Sequence, residues 1–198
     1  DLYVPHGSGK RPAVICIHGG GWKNGDKRQI RLARDLAAKG FVAISINYRL
    51  SGTAKYPAAV DDCRAAVRWV RENAEKYGID ADRLGVFGTS AGGHLALMVG
   101  ALDDDPKARV QAVVSWYGPA DFTEGPAHDT AFVQFLGAPF SEKPELYKAA
   151  SPVTHVTKDD PPMLLLHGDA DELVPIRHAQ SMAKALDGSK EIGFAVLA

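Results

Sequence analysis

The chain has 198 residues, 45% of them hydrophobic and 24% charged, with a formal net charge of −1. That length supports one domain with its own core, and the charge balance gives no electrostatic case for nucleic acid or an anionic membrane as a partner. No apolar run reaches the length of a membrane span, and no Cys/His spacing matches a zinc site.

In chain order, the pattern predicts strands at 13–17, 41–47, 83–87, 111–116, 162–166 and 191–197, and helices at 27–39, 57–77, 91–102 and 176–187. Near-continuous apolar strands alternating with helices argue an α/β fold, with a mostly parallel sheet covered by helices on both faces. The first strand runs straight into His18-Gly19-Gly20-Gly21-Trp22. A Gly-rich loop there supplies half of an oxyanion hole in lipases and esterases, so the Gly20 and Gly21 N–H groups are candidate donors. His18 is expected to fix the loop through backbone bonds, and Trp22 either to line a pocket or to buttress the loop.

The second strand ends in Asn47-Tyr48-Arg49-Leu50, which makes Tyr48 a candidate to face the site. The helix at 57–77 carries Asp61, Asp62 and Cys63. The two carboxylates read as helix-end electrostatics or a solvated face. Cys63 and Cys16 read as small buried hydrophobes and not as a disulfide.

The next strand leads into Gly88-Thr89-Ser90-Ala91-Gly92. This G-x-S-x-G at a strand-to-helix turn reads as a nucleophile elbow, which pushes Ser90 out with its hydroxyl exposed. Gly88 and Gly92 leave room for the tight turn, and the N–H of Ala91 completes the oxyanion hole with Gly20 and Gly21. His94 lies one turn further on and is expected to point along the helix, away from the hydroxyl.

After the strand ending Ser115-Trp116-Tyr117, residues 118–160 show no clear strand. They read as an insertion forming a cap or pocket wall, with Phe122, Phe132, Phe135, Leu136, Phe140 and Tyr147 on its inner face or pinning it to the body. Tyr117 is a candidate substrate contact, and His155 a structural residue. The strand at 162–166 then opens into His167-Gly168-Asp169-Ala170-Asp171-Glu172-Leu173-Val174-Pro175.

Taken together, the H-G-G-G-W and G-x-S-A-G-G motifs resemble the α/β-hydrolase superfamily, most closely bacterial carbohydrate-ester esterases of the feruloyl and acetylxylan type. The resemblance runs from Leu2 to Pro175 and implies one hydrolase domain over 1–198, with the insertion at 118–160 after the sixth family strand. It places the triad acid at Asp171, leaving Asp169 to turn chemistry. It also implies two-step acyl transfer from small-molecule or saccharide esters through Ser90, with each oxyanion donor contributing roughly 3–4 kcal/mol and no metal or organic cofactor.

The family's base is a histidine after the last strand. None follows residues 191–197 before Ala198, and the only histidine beyond Asp171 is His178, which reads as an exposed residue of an amphipathic helix. The chain is therefore expected to be trimmed before its base and at its N-terminus, and to be a poor esterase as it stands. An aryl formamidase-like amidase and a non-catalytic binding protein on the same scaffold are the alternatives. Compartment and oligomeric state are not legible.

Overall fold

The computed structural model describes residues 1–123, 130–187 and 192–197. Seven strands form one sheet: β1 (Leu2–Tyr3), β2 (Arg11–Ile17), β3 (Val42–Ile46), β4 (Ile79–Thr89), β5 (Ala112–Trp116), β6 (Met163–Gly168) and β7 (Ile192–Leu197), in the order β1-β3-β2-β4-β5-β6-β7. Only β1 runs antiparallel, pairing Leu2 with Ile44, and every other neighbour is parallel. The predicted strands are all present. Residue 191 of the last one lies outside the described residues, as does Ala198.

Strand alternation sorts the core into two layers. Ala13, Ile15, Ile17, Val86, Val113 and Leu165 face one side, where α2 (Ala58–Glu72), α3 (Ala91–Ala101) and Met182 of α6 (Arg177–Ala185) cover them. Cys16, Ala43 and Phe87 face the other, against Ile30 and Ala33 of the segment leading through α1 (Leu32–Ala38). Helices therefore lie on both faces, but unequally: beyond the reach of α1, Trp116 and Leu164 stay 38% exposed. All eleven residues of α3 are buried, as its small, apolar sequence requires between α2 and the sheet.

Two predicted helices are shorter or broken. The helix at 27–39 divides into a 3-10 turn, Lys27–Gln29, and α1. Asp26 caps the turn by accepting from the Arg28 N–H (2.7 Å). Ile30 then leaves helical geometry at ψ 88° and buries its side chain against Cys16 and Phe87, and that burial outweighs local helix propensity. The helix at 57–77 ends at Glu72. Asp62 is neither a helix-end charge nor free in solvent: it takes Arg49 side-on at 2.8 Å and accepts the Arg49 N–H as well, fastening the end of β3 to α2. Cys16 and Cys63 are free and buried.

Between β5 and β6 the chain forms α4 (Thr130–Leu136), α5 (Pro144–Ala149) and a 3-10 turn, Pro152–Thr154. Residues 124–129 of the predicted insertion lie outside the described residues. Phe122, Phe135, Leu136 and Tyr147 are buried and pin the segment to the body. Ser151 closes it from within: its hydroxyl donates to the Tyr147 carbonyl and accepts from the Phe122 N–H, both at 2.8 Å. His155 donates from Nε2 to the Ala149 carbonyl at 2.7 Å.

Candidate active site

Ser90 sits between β4 and α3 at φ 53° and ψ −124°, a backbone position that L-residues seldom occupy. Its own N–H donates to the Trp116 carbonyl (2.9 Å), and its carbonyl accepts from the His94 N–H (3.0 Å). Two glycines make the turn possible. A Cβ on Gly88 would lie 2.0 Å from the Gly92 carbonyl oxygen, and one on Gly92 would lie 2.2 Å from the Ile17 carbonyl oxygen. The strained serine is thus held by backbone on both sides, with no bulk behind it.

The loop after β2 is held in the same manner. Gly20 has φ 111°, and a Cβ there would approach the Asn24 carbonyl oxygen to 2.3 Å. The Gly20 carbonyl accepts from the Lys23 and Asn24 N–H groups at 3.2 and 3.0 Å, closing the turn. Gly21 and Trp22 follow, both at φ 58°.

Aromatic groups brace this loop from beneath. The Tyr48 hydroxyl donates to the His18 carbonyl (3.0 Å), and its ring stacks on His18 at 4.3 Å. The His18 Nδ1–H donates to the Gly19 carbonyl (2.7 Å). Trp22 is 2% exposed, stacks on Phe135 at 4.6 Å, and donates its indole N–H to His94 Nδ1 (3.2 Å). His94 in turn donates from Nε2 to the Ala150 carbonyl (2.8 Å). Burial holds the His94 ring at a pKa of about 4, so it stays neutral and keeps both bonds.

A cavity of about 510 Å³ opens over the elbow, and Gly21, Trp22, Ser90 and Ala91 all line it. Pro119 and Phe132 contribute a wall from the β5–β6 segment, and Val174, Pro175, Arg177 and His178 another from the turn before α6 and its first residues. Tyr48 and Tyr117, the two expected substrate contacts, are not among the residues that line it. Tyr48 is occupied beneath the loop, and Tyr117, at φ 43°, packs against Trp116. Gly20 is also absent from the lining and shapes the turn behind it. Trp22 lines the cavity and also packs beneath the loop, on Phe135 and His94.

Asp171 lies half-buried on the turn after β6. Its Oδ1 accepts from the Leu173 and Val174 N–H groups at 2.9 and 2.8 Å. The turn chemistry expected of Asp169 therefore belongs to Asp171, and Asp169 is exposed. Asp171 Oδ2 lies 3.9 Å from His167 Nε2, which donates to the Val174 carbonyl at 2.6 Å. Asp171 does not line the cavity; the turn that it organises does. No described histidine hydrogen-bonds the Ser90 hydroxyl.

His178 corrects the sequence reading most clearly. It is 3% exposed and lines the cavity, where an exposed helix position was expected. The reason is the buried stripe of α6, which carries His178, Ala179 and Met182, together with the Asp121 N–H, which donates to His178 Nδ1 at 3.3 Å. The spacing of 178, 179, 182 and 186 was a signal in the sequence that could have placed this histidine inward. Burial and the neighbouring Arg177 cation hold its pKa at about 4. Among the described residues, no group of three or more His, Cys, Asp or Glu side chains could hold a metal ion.

Known proteins carry the same frame. The BD-FAE family model matches residues 1–186. Among curated proteins, esterase LipC of Mycobacterium tuberculosis is 33% identical over 88% of this chain and 48% of its own length. The probable carboxylic ester hydrolase LipM of the same organism is 35% identical over 90% of this chain and 46% of its own. The chain thus spans about half the length of these relatives.

Among solved structures, a truncated form of a carbohydrate esterase from gut microbiota superposes with a TM-score of 0.90 at 32% identity, over 98% of this chain and 80% of that one. An acetyl ester-xyloside bifunctional hydrolase from Caldicellulosiruptor lactoaceticus gives 0.89 at 29% identity, over 99% of this chain and 75% of that one. Thermogutta terrifontis esterase 2, phosphonylated by sarin, gives 0.87 at 27% identity, over 99% of this chain and 77% of that one.

Proposed function

The chain belongs to the BD-FAE family, within the α/β-hydrolase esterases, and from that premise we propose that it is a serine carboxylesterase working through an acyl-enzyme on Ser90. One observation carries the reading: a serine on a strained, positive-φ elbow opens onto the cavity that Gly21 and Ala91 also line. In this reading Ser90 Oγ attacks the ester carbonyl, and the Gly21 and Ala91 N–H groups take the developing oxyanion, while Gly20 holds the loop that aims Gly21. The general base takes the Ser90 hydroxyl proton and returns it to the leaving alcohol, then takes a proton from the water that attacks the acyl-enzyme and returns it to Ser90 as the acid is released.

Asp171 is the acid that orients and stabilises the general base. That base is not His178, whose Nδ1 is already occupied by the Asp121 N–H and whose low pKa makes it a weak proton acceptor at neutral pH. The whole chain acts as one hydrolase domain, and 118–160 forms one wall of its pocket through Pro119 and Phe132. The substrates are small esters, with acetyl or feruloyl groups on saccharides as the favoured class, by likeness to the carbohydrate esterase and the acetyl ester-xyloside hydrolase.

The test is labelling with a serine-reactive fluorophosphonate, followed by intact mass and turnover of 4-nitrophenyl acetate. One adduct, mapped to Ser90 and lost in Ser90→Ala together with about 10⁴-fold or more of the turnover, is the expected result. No adduct, or an adduct elsewhere, overturns the reading. Turnover of N-formylkynurenine in the same protein separates an amidase from an esterase.

A further inference from the structure

Two neighbouring side chains that line the cavity carry donors with no acceptor among the described residues. His178 is buried and lines the cavity. Its Nδ1 accepts the Asp121 N–H, so the ring proton of the neutral form must sit on Nε2. That Nε2–H has no partner among the described residues, and it is not sealed off from solvent space. Burial keeps the ring neutral across the ordinary working range, which fixes the tautomer and leaves a donor at one place.

Arg177 lines the same wall. Its Nε is buried without a partner, and it makes no ion pair or hydrogen bond among the described residues. A guanidinium is a permanent cation that seeks oxygen acceptors. Around the pair the wall carries one other charged side chain, the exposed Glu172, which forms no ion pair with Arg177, and is otherwise apolar: Leu173, Val174, Pro175, Trp22 and Phe132.

We infer that Arg177 and His178 form a donor subsite that selects esters bearing a second oxygen acceptor beside the scissile group over plain alkyl esters. The inference rests on Ser90 as nucleophile, since it assigns specificity within that cavity. A ligand that offers only hydrocarbon to this wall leaves both donors unmatched, and a site built to hydrogen-bond discriminates strongly against such an analogue. The matching chemistry is an oxygen-rich alcohol part, supplied either by neutral sugar hydroxyl and ether oxygens or by a sugar carboxylate. His178 serves both sources, and the Arg177 cation favours the second.

The experiment compares kcat/KM on three acetates with the same acyl group: n-butyl acetate, an O-acetylated methyl pentoside, and an O-acetylated methyl uronate with a free carboxylate. The wild-type protein is expected to prefer the two sugar esters at least tenfold. His178→Asn keeps an amide oxygen for the Asp121 N–H but removes the donor at the Nε2 position. It is expected to cut the pentoside-to-butyl ratio about tenfold, mainly through KM. His178→Gln, whose amide nitrogen reaches further, is expected to recover part of that ratio. Arg177→Gln is expected to lower the uronate-to-pentoside ratio.

Thermal melts of each variant accompany the assay, and the Gln variant carries the test if the Asn variant does not fold. Equal wild-type rates on all three esters overturn the inference, as does an unmoved ratio in His178→Asn and His178→Gln. If the wild-type protein labels at Ser90 and turns over butyl acetate while the ratio stays flat, only this inference fails. If it neither labels nor turns over any ester, the reading of Ser90 fails and takes the inference with it.

Discussion

On one side of the cavity, Gly21, Ser90 and Ala91 hold their places through backbone: positive φ angles, glycines too close to carbonyl oxygens to carry a Cβ, and main-chain hydrogen bonds. On the other side, Val174, Arg177 and His178 hold theirs through side chains: the Asp171 carboxylate that accepts two N–H groups of its turn, and an imidazole that accepts from Asp121. The first wall has no titratable group among its three members. The second includes a titratable imidazole, His178. A backbone-built wall carries no titrating group of its own, whereas a side-chain-built wall can be rewritten by one proton or one substitution.

The largest effect expected from this contrast is at Asp171. Asp171→Asn keeps an Oδ1 acceptor for the Leu173 and Val174 N–H groups, so the turn should survive, while the negative charge proposed to support the general base is lost. In a protein that carries the base histidine, turnover of 4-nitrophenyl acetate is expected to fall about 10⁴-fold with the melting temperature little changed, and Asp169→Asn to alter turnover less than about threefold, because that residue is exposed. Equal losses in the two variants would mean that Asp171 serves only its turn.

Acid should act next, and through side chains alone. His94 and His178 are held at about 4 in the folded state, below the ordinary histidine value of 6.5. Between those values the unfolded chain binds more protons, so the stability is complete above about pH 6.5 and is lost as pH falls towards 4. Each histidine can account for up to about 3 kcal/mol of that loss. Urea melts at pH 7 and pH 4.5 should show a clear drop. A flat profile would break the link between these buried rings and the fold.

The smallest effect belongs to the backbone wall. Tyr48→Phe removes one donor to the His18 carbonyl and keeps the ring stack. A cost of about 1 kcal/mol is expected, read as a fall in Tm of about 2–4 °C, with kcat within about fivefold of wild type. A hundredfold loss in kcat would place Tyr48 in contact with substrate after all.

The same division explains what is legible in the amino-acid sequence. G-x-S-x-G and the Gly-rich loop are legible because their chemistry is local: a glycine where a Cβ cannot fit leaves its mark in sequence. The sheet was legible because short apolar runs at 13–17 and 84–87, each ending at a Gly-rich turn, fit buried strands. His178 was misread because its burial depends on Asp121, 57 residues away, although the helical stripe hinted at it. Tyr48 stood at a strand end, yet whether its hydroxyl met the cavity or the His18 carbonyl was a matter of tertiary geometry. The break at Ile30 likewise came from a pocket made by Cys16 and Phe87, on strands that lie before and after it in the chain.

The indole of Trp22 gives the molecule an optical property of its own. Of the three tryptophans, Trp69 and Trp116 are 43% and 38% exposed, while Trp22 is 2% exposed and bonded to His94. Its emission therefore lies to the blue of the other two and senses the imidazole beneath it. The blue side of the tryptophan emission reads the Gly-rich-loop side of the cavity without a label, and any event that wets that indole or charges that ring announces itself as a change in colour or brightness.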